Sequence, residues 1–383
     1  MTMNQPDRLA TMERSGIRRI MERARKRPGV LRLELGEPDF DTPPHIIEAA
    51  AQAARDGHTR YAPAVGIPEL RDAASDKLAR VNGIETPPES IVVTAGAVNG
   101  ILNSLMALTS PGDVVGIPDP AWPNYVNLAR SLGLGVVRYR LDPSTNFKID
   151  PAAVAEAIDT TDGVQAVIIN SPSNPVGSTC DRDTAVALLD LCQSRGAVLL
   201  SDECYDQIVF EGEHVSPSSL GNDSDVVSVF SLSKTYAMTG WRVGYVTGPS
   251  HLMERIARVQ EVWNSCCNSI AQWAGVAAFT GDQDCVTRMV AAYRDRRDVA
   301  LEALEENGLR GWRPMGAFYI MIDVGDRDSD AFAESLVDDH DVAVAPGSTF
   351  GSVSAGMVRI SLASSPETIV GGIGRIARGV ASI

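Results

Sequence analysis

The sequence predicts an α/β protein: a large unit with a mostly parallel seven-stranded sheet covered by helices, plus a smaller α+β unit. Three observations carry this. Between about residues 90 and 250, short β-rich runs alternate with helical stretches, the pattern of a sheet built through crossover helices. Several of those runs are apolar at nearly every position, as strands covered on both faces require. Beyond about residue 280 the texture changes to a long charged helical region followed by isolated strands and helices.

The first strand, 91–94, runs into Ala95-Gly96-Ala97 and a helix over 97–108. Strands follow at 114–117, 136–139, 164–170, 198–201, 226–230 and 243–247, with a helix over 184–194 between the fourth and the fifth. A helix over 288–307 then leads to a strand at 317–323, another helix, and strands at 342–345 and 358–361. Ser365-Pro366-Glu367 starts a closing helix, with a hydroxyl cap followed by proline in the first turn. The first forty or so residues precede the sheet, so the expected division is an N-terminal arm joining the small unit (1–45), a large unit (46–280) and a small C-terminal unit (281–383). Arg14, Arg18, Arg19, Arg23, Arg25, Lys26 and Arg27 share a helical-looking segment with Ile17, Ile20 and Met21 on one side. That pattern predicts a solvated basic face with an apolar stripe against the body, rather than a partner-binding helix.

Composition narrows the function. The chain has 383 residues, 44% apolar and 22% charged, enough for a large core. Its 34 basic and 49 acidic residues leave a net charge of −15, which argues against a nucleic-acid or anionic-membrane binder. No apolar run approaches the roughly 20 residues that span a bilayer. The polar first 27 residues carry no secretory pattern, so a cytoplasmic location is expected. Cys180, Cys192, Cys204, Cys266, Cys267 and Cys285 show no metal-ligand spacing and the histidines are scattered, so reduced thiols and no metal site are expected. Gly372-Ile-Gly374-Arg-Ile-Ala377 fits a loose dinucleotide fingerprint, but it falls inside the closing helix and reads as helix packing.

Ligands of open parallel sheets gather beyond the carboxyl ends of the strands. Here the positions just past those ends carry Gly96-Ala97 at a helix start, Asn174, Asp202 with Tyr205 three residues on, and Ser231-Leu-Ser233-Lys234. A lysine amine attacks a carbonyl only when neutral, which burial or a nearby cation favours. Arg242 offers a fork suited to phosphate, and the amides at Gly96-Ala97 face the same task. A phosphorylated aldehyde cofactor answers both needs. Asp202 would then pair with a protonated ring nitrogen, Asn174 and Tyr205 with a ring oxygen, and Trp122 would stack on the ring.

The run from Phe230 to Tyr245, FSLSKTYAMTGWRVGY, closely resembles the lysine segment of class I/II (fold type I) aminotransferases. Leu35-Gly36-Glu37-Pro38-Asp39-Phe40, Tyr61 with Gly66 and Leu70-Arg71, the segment 171–177, Pro346-Gly-Ser-Thr-Phe-Gly351 and Val358-Arg359-Ile360-Ser361 agree in order, from about residue 34 to 363. The resemblance implies pyridoxal 5'-phosphate held on Lys234 as an internal aldimine, Lys234 also moving the proton between substrate and cofactor. It implies Asp202 on the pyridine nitrogen, Asn174 and Tyr205 on the ring oxygen, and Ser231, Ser233 and Arg242 on the phosphate with the Gly96-Ala97 amides. Arg359 would grip the substrate α-carboxylate, aided by Asn174 and the Gly36 backbone. Tyr61 would reach the phosphate of a neighbouring subunit, hence a homodimer. The expected reaction moves an amino group between an L-amino acid and a 2-oxo acid; a C–S lyase or synthase of the same fold is the alternative, since such enzymes share the cofactor residues.

Two departures stand out. Where many relatives carry Lys-Gln after Gly96-Ala97, this chain has Val98-Asn99, which weakens a dicarboxylate-specific reading. Asn268 stands where Thr or Ser is frequent, with an altered pocket wall as the expectation.

Overall fold

The computed structural model describes residue 12 and residues 15–221 and 225–382; Arg14 of the basic segment lies outside them. The large sheet has seven strands: β1 (Ile91–Thr94), β2 (Val114–Asp119), β3 (Gly135–Arg140), β4 (Val164–Asn170), β5 (Val198–Asp202), β6 (Val226–Ser231) and β7 (Gly244–Thr247), in the order β1-β7-β6-β5-β4-β2-β3. Strands β2 to β6 pair in parallel, while β7 runs antiparallel to both β1 and β6. Between β6 and β7 the chain makes only the one-turn helix Leu232–Thr235 and a short 3-10 turn, too little for a crossover, so it returns antiparallel. Both faces are covered. Ile168 and Leu200 pack with Ile101 on one side, and Ile169 and Leu199 with Leu188 on the other, which explains the unbroken apolar runs.

Register places the strand ends on one rim. Asn170 pairs with Asp202, while Gly244 pairs with both Ser231 and Thr94. The expected helices appear as Ala97–Leu108, Arg182–Arg195, Asp284–Glu306 and Pro366–Ala381, the last capped by Ser365 Oγ accepting from the Thr368 N–H at 3.2 Å. Gly372 lies within that last helix, where an added Cβ would sit 2.4 Å from Leu33 Cδ1, so the loose fingerprint is a helix-packing feature.

A second, antiparallel sheet joins β8 (Tyr319–Asp323), β9 (Ala345–Pro346) and β10 (Met357–Ser361) in the order β9-β10-β8. The single strand expected over 342–345 is divided. Val342–Ala343 pairs in parallel with Leu31–Arg32, and the chain then turns so that Ala345–Pro346 pairs with β10. The N-terminal segment is thereby stitched to the C-terminal one; the Ser361 N–H also donates to Leu33 O at 2.8 Å.

The helix Gly16–Arg25 buries Gly16, Ile20 and Ala24, the expected apolar stripe. Its basic face is not simply solvated. Arg19, Arg23 and Arg27 form half-exposed ion pairs with Asp330, Glu334 and Asp338 on and beside the helix Ser329–His340. Among the described residues no helix is long and apolar enough to cross a membrane, and no group of three or more His, Cys, Asp or Glu side chains is placed to hold a metal.

Candidate active site

The carboxyl rim of the large sheet opens into a cavity of about 360 Å³. Its wall includes Gly36, Ala97, Trp122, Asn174, Asp202, Tyr205, Ser231, Ser233, Lys234, Arg242 and Arg359. Gly96 adjoins it as the residue capping Ala97–Leu108. Tyr61 is not part of this wall and stands 92% exposed.

Asp202 ends β5 and is 2% exposed. Its Oδ2 accepts from Tyr125 OH at 2.6 Å and its Oδ1 from the Cys204 N–H at 3.2 Å, while its own carbonyl accepts from Asn170 Nδ2 at 2.9 Å. Burial pushes the Asp202 carboxyl above the ordinary carboxylate range, opposed by the hydrogen bonds from Tyr125 and Cys204. A buried acid aimed into a cavity in this way is stabilised as the anion when a cationic ring nitrogen meets it.

Lys234 leaves the one-turn helix after β6 and its Nζ donates to Gly36 O. Burial pulls its amine down to about 8; Arg359 and Arg242 lower it further, and Cys204 and Glu37 oppose them. A buried amine held partly neutral in this way suits the nucleophilic role expected of Lys234.

Arg359 sits on the middle strand of the small sheet, between Met321 and Ala345, and is 1% exposed. Its Nη1 donates to Asn174 Oδ1 at 2.9 Å and its Nη2 to Glu34 O at 2.8 Å, while Nε is buried without a partner. The guanidinium lies 4.2 Å from the Tyr319 ring centroid and 4.9 Å from that of Phe350. Burial lowers its pKa, yet a guanidinium does not give up its proton in a protein. Among the described residues no carboxylate pairs with it, so the site invites an anion from outside.

Arg242 is held by Nη1 to Thr239 O at 2.8 Å and Nη2 to Ala95 O at 3.1 Å. Gly96, at φ +78°, makes this possible: a Cβ there would sit 2.5 Å from Arg242 Nη2. The guanidinium and the start of the twelve-residue helix Ala97–Leu108 therefore face one spot. Ser231 Oγ accepts from the Ser233 N–H at 3.1 Å and still has its own proton to donate. Tyr205 OH lies 2.9 Å from Tyr319 OH, and Trp122 meets Tyr125 edge-on with ring centroids 5.4 Å apart.

The wall also holds Val98, noted in the sequence as a departure, and Ile17 and Cys204, which were read there only as an apolar stripe and a reduced thiol; Asn124, Tyr125, Asn170, Thr239 and Tyr319 were not singled out from sequence. Asn170 closes a strand and Tyr125 lies three residues past Trp122, so their neighbourhoods were visible, but their partners across the sheet were not. Cys204 faces the cavity, unlike the four buried cysteines, and all six are free thiols. Asn268 is not on this wall. Its Oδ1 caps the helix Ser269–Thr280 by accepting from the Ala271 N–H at 2.9 Å, and it borders a separate hollow beside Thr42 and Trp241.

Residues 28–376 match the family of class I and II aminotransferases, and the chain belongs to that family. Its activity is that of an aminotransferase. It is 38% identical over 365 residues to the aspartate/prephenate aminotransferase of Thermus thermophilus, covering 94% of this chain and 93% of that one. The structure of Thermus thermophilus aspartate aminotransferase with maleate superposes with a TM-score of 0.92 at 37% identity, over 98% of this chain and 99% of that chain. The alanine aminotransferase of Pyrococcus furiosus gives a TM-score of 0.94 at 31% identity, over 99% of this chain and all of that one (100%).

Proposed function

We propose that the chain works with pyridoxal 5'-phosphate on Lys234, exchanging an amino group between an L-amino acid and a 2-oxo acid in two half-reactions. One observation carries this above the others: Lys234, with its amine lowered to about 8, shares a cavity with the buried acid Asp202 and with Arg359, whose buried Nε has no partner. When bound, the cofactor supplies an electron sink that stabilises negative charge at the substrate α-carbon.

The residues fit such a group. Lys234 Nζ would hold the group through its aldehyde, and would take and return the proton at the substrate α-carbon. Asp202, held in place by Tyr125 and the Cys204 amide, would keep the ring nitrogen protonated. Asn174 spends its carbonyl oxygen on Arg359, which leaves its amide N–H for a ring oxygen beside Tyr205. Ser231, Ser233 and Arg242 with the Gly96-Ala97 amides take the phosphate, and Trp122 covers the ring. Arg359 binds the substrate α-carboxylate in the pocket formed with Asn174 and the Gly36 backbone. Tyr61 serves the site of a second copy in a homodimer, for which its near-complete exposure leaves it available. The large unit spans 46–280 and the small one 281–383 with 1–45, and the protein works in the cytoplasm.

The test is to mix holoenzyme with single amino acids in the absence of any oxo acid and follow the cofactor absorbance. Conversion to the amine form of the cofactor, reversed by an oxo acid, is the expected result. Release of thiol or ammonia in place of that conversion would reject the reading.

A further inference from the structure

We propose that the buried cluster of Lys77, Asn82 and Asp206 positions Tyr205: it fixes the turn that carries this phenol and so sets how strongly Tyr205 bonds the cofactor's ring oxygen, a claim that rests on the role proposed above for Tyr205. Lys77 and Asp206 are positioning residues, since neither lines the cavity.

Lys77 ends the helix Pro68–Lys77, and Asn82 ends the five-residue π turn that follows it, Leu78–Asn82. Lys77 is 3% exposed and Asp206 5%. Lys77 Nζ donates to Asp206 Oδ2 and, at 2.8 Å, to Asn82 Oδ1. Asn82 Nδ2 closes the ring by donating to Asp206 Oδ2 at 3.1 Å. The same ammonium lies 4.7 Å from the ring centroid of Phe230, the residue before Ser231 in β6. One buried cation thus ties the chain beyond β5 to the strand that delivers Lys234.

The turn after β5 depends on that tie. Sheet register holds Asp202 between Asn170 and Val229, and the Glu203 N–H still donates to Val229 O at 2.9 Å. The Glu203 carboxylate is anchored by Ser216 Oγ at 2.9 Å and His214 Nε2 at 2.7 Å. From Cys204 to Asp206 the backbone bonds are local: Cys204 N–H to Asp202 Oδ1 at 3.2 Å and Asp206 N–H to Glu203 O at 3.1 Å. Tyr205 stands one residue before Asp206. Its ring lies edge-on to Phe318 and Tyr319, with centroids 5.5 and 5.9 Å away, so a small rotation of the turn would move its hydroxyl. The Asp206–Lys77 pair holds the end of the turn next to Tyr205. A buried ion pair contributes little net stability, because desolvating two charges offsets their attraction. What it adds here is one fixed orientation, which apolar side chains of similar volume would not select.

The test replaces both charges at once, Lys77→Met with Asp206→Leu, so that no unpaired charge is buried. Apoenzyme melting curves and the pH midpoint of the bound cofactor's absorbance change are measured for this pair, for Tyr205→Phe and for the triple variant. A donor on the ring oxygen favours the deprotonated form of the bound cofactor, so weakening that donor raises the midpoint. Tyr205→Phe should raise it by about one pH unit or more, the loss of one hydrogen bond to a charged group. The neutral pair should raise it by about half a pH unit while melting close to the native temperature. The triple variant should shift no further than Tyr205→Phe, because the pair acts through that phenol. Asp206→Asn, which keeps the side chain's shape and drops its charge, should move the midpoint the same way and decides the question if the neutral pair does not fold. A native midpoint in the folded variant, with Tyr205→Phe shifted, overturns the positioning role, as does a triple variant whose shift is the sum of the two. No shift with Tyr205→Phe itself removes the ring-oxygen role of Tyr205, and this proposal with it.

Discussion

At the scale of single residues, Lys234 and Arg359 carry most of the proposed chemistry, and each has an environment that gives a sign to its test. Only the free-base amine attacks an aldehyde, and burial holds Lys234 at about 8 instead of the usual 10.5. At pH 7 about a tenth of the chains then carry a neutral Lys234, several hundred-fold more than for an ordinary lysine. The rate of cofactor capture by apoenzyme should therefore climb with pH and level off just above 8. A rate still climbing steeply at pH 10 would mean an unperturbed amine. Arg359→Lys removes a planar two-pronged donor that is already fixed by Asn174 and Glu34. KM should rise about 10- to 100-fold for every amino acid, the loss of one charge-assisted bond, with cofactor affinity unchanged. Loss of cofactor with substrate affinity intact would remove Arg359 from the carboxylate site. Both residues were legible in the sequence because each sits in a distinctive run. Tyr125 and Tyr319 were not, since nothing local says that one phenol will reach an acid 77 positions away or the other a tyrosine 114 positions away.

Among the elements, the rim of the sheet depends on close approaches that only glycine allows. Gly244 pairs across to Ser231 and Thr94, and a Cβ on it would meet Phe230 O at 2.6 Å and Ala97 N at 3.0 Å. Gly96 has the tighter link to function, since its Cβ would collide with Arg242 in a backbone conformation that side chains rarely adopt. Gly96→Ala should raise the Kd for pyridoxal phosphate about tenfold or more, because Arg242 and the helix start would no longer share one seat. Titration of the apoenzyme with the cofactor, beside a melting curve to show that the fold survives, reads this directly; unchanged affinity would place the phosphate elsewhere. The strand over 164–170 was legible to the residue because its apolar run ends abruptly at Asn170 and Ser171-Pro172. The segment 342–345 was not, because its division depends on two partners far away in sequence, Leu31–Arg32 and β10. The partial engagement of the basic helix face was hidden for the same reason: its acidic partners lie more than 300 positions on.

For the molecule as a whole, the separation of Tyr61 from the cavity of its own chain makes assembly a functional question. Tyr61 is 92% exposed although it is an aromatic residue, and Val262 and Trp263 are exposed as well, at 79% and 65%. Covering them with a second copy would remove that apolar surface from water. If Tyr61 completes the site of a second copy, the two defects of a Lys234→Ala chain and a Tyr61→Ala chain are complementary. Each homodimer has two impaired sites. A mixed dimer has one site with neither group and one with both, because Lys234 comes from the Tyr61→Ala chain and Tyr61 from the Lys234→Ala chain. Co-expression with random pairing makes half the dimers mixed, so about a quarter of native sites should regain full cofactor affinity at limiting pyridoxal phosphate. Tyr61→Ala alone should weaken that affinity by about tenfold, the loss of one hydrogen bond to a charged group. Affinity in the mixed population no better than the average of the two parents would show that Tyr61 acts within its own chain or not at all, and would separate the dimer from the site.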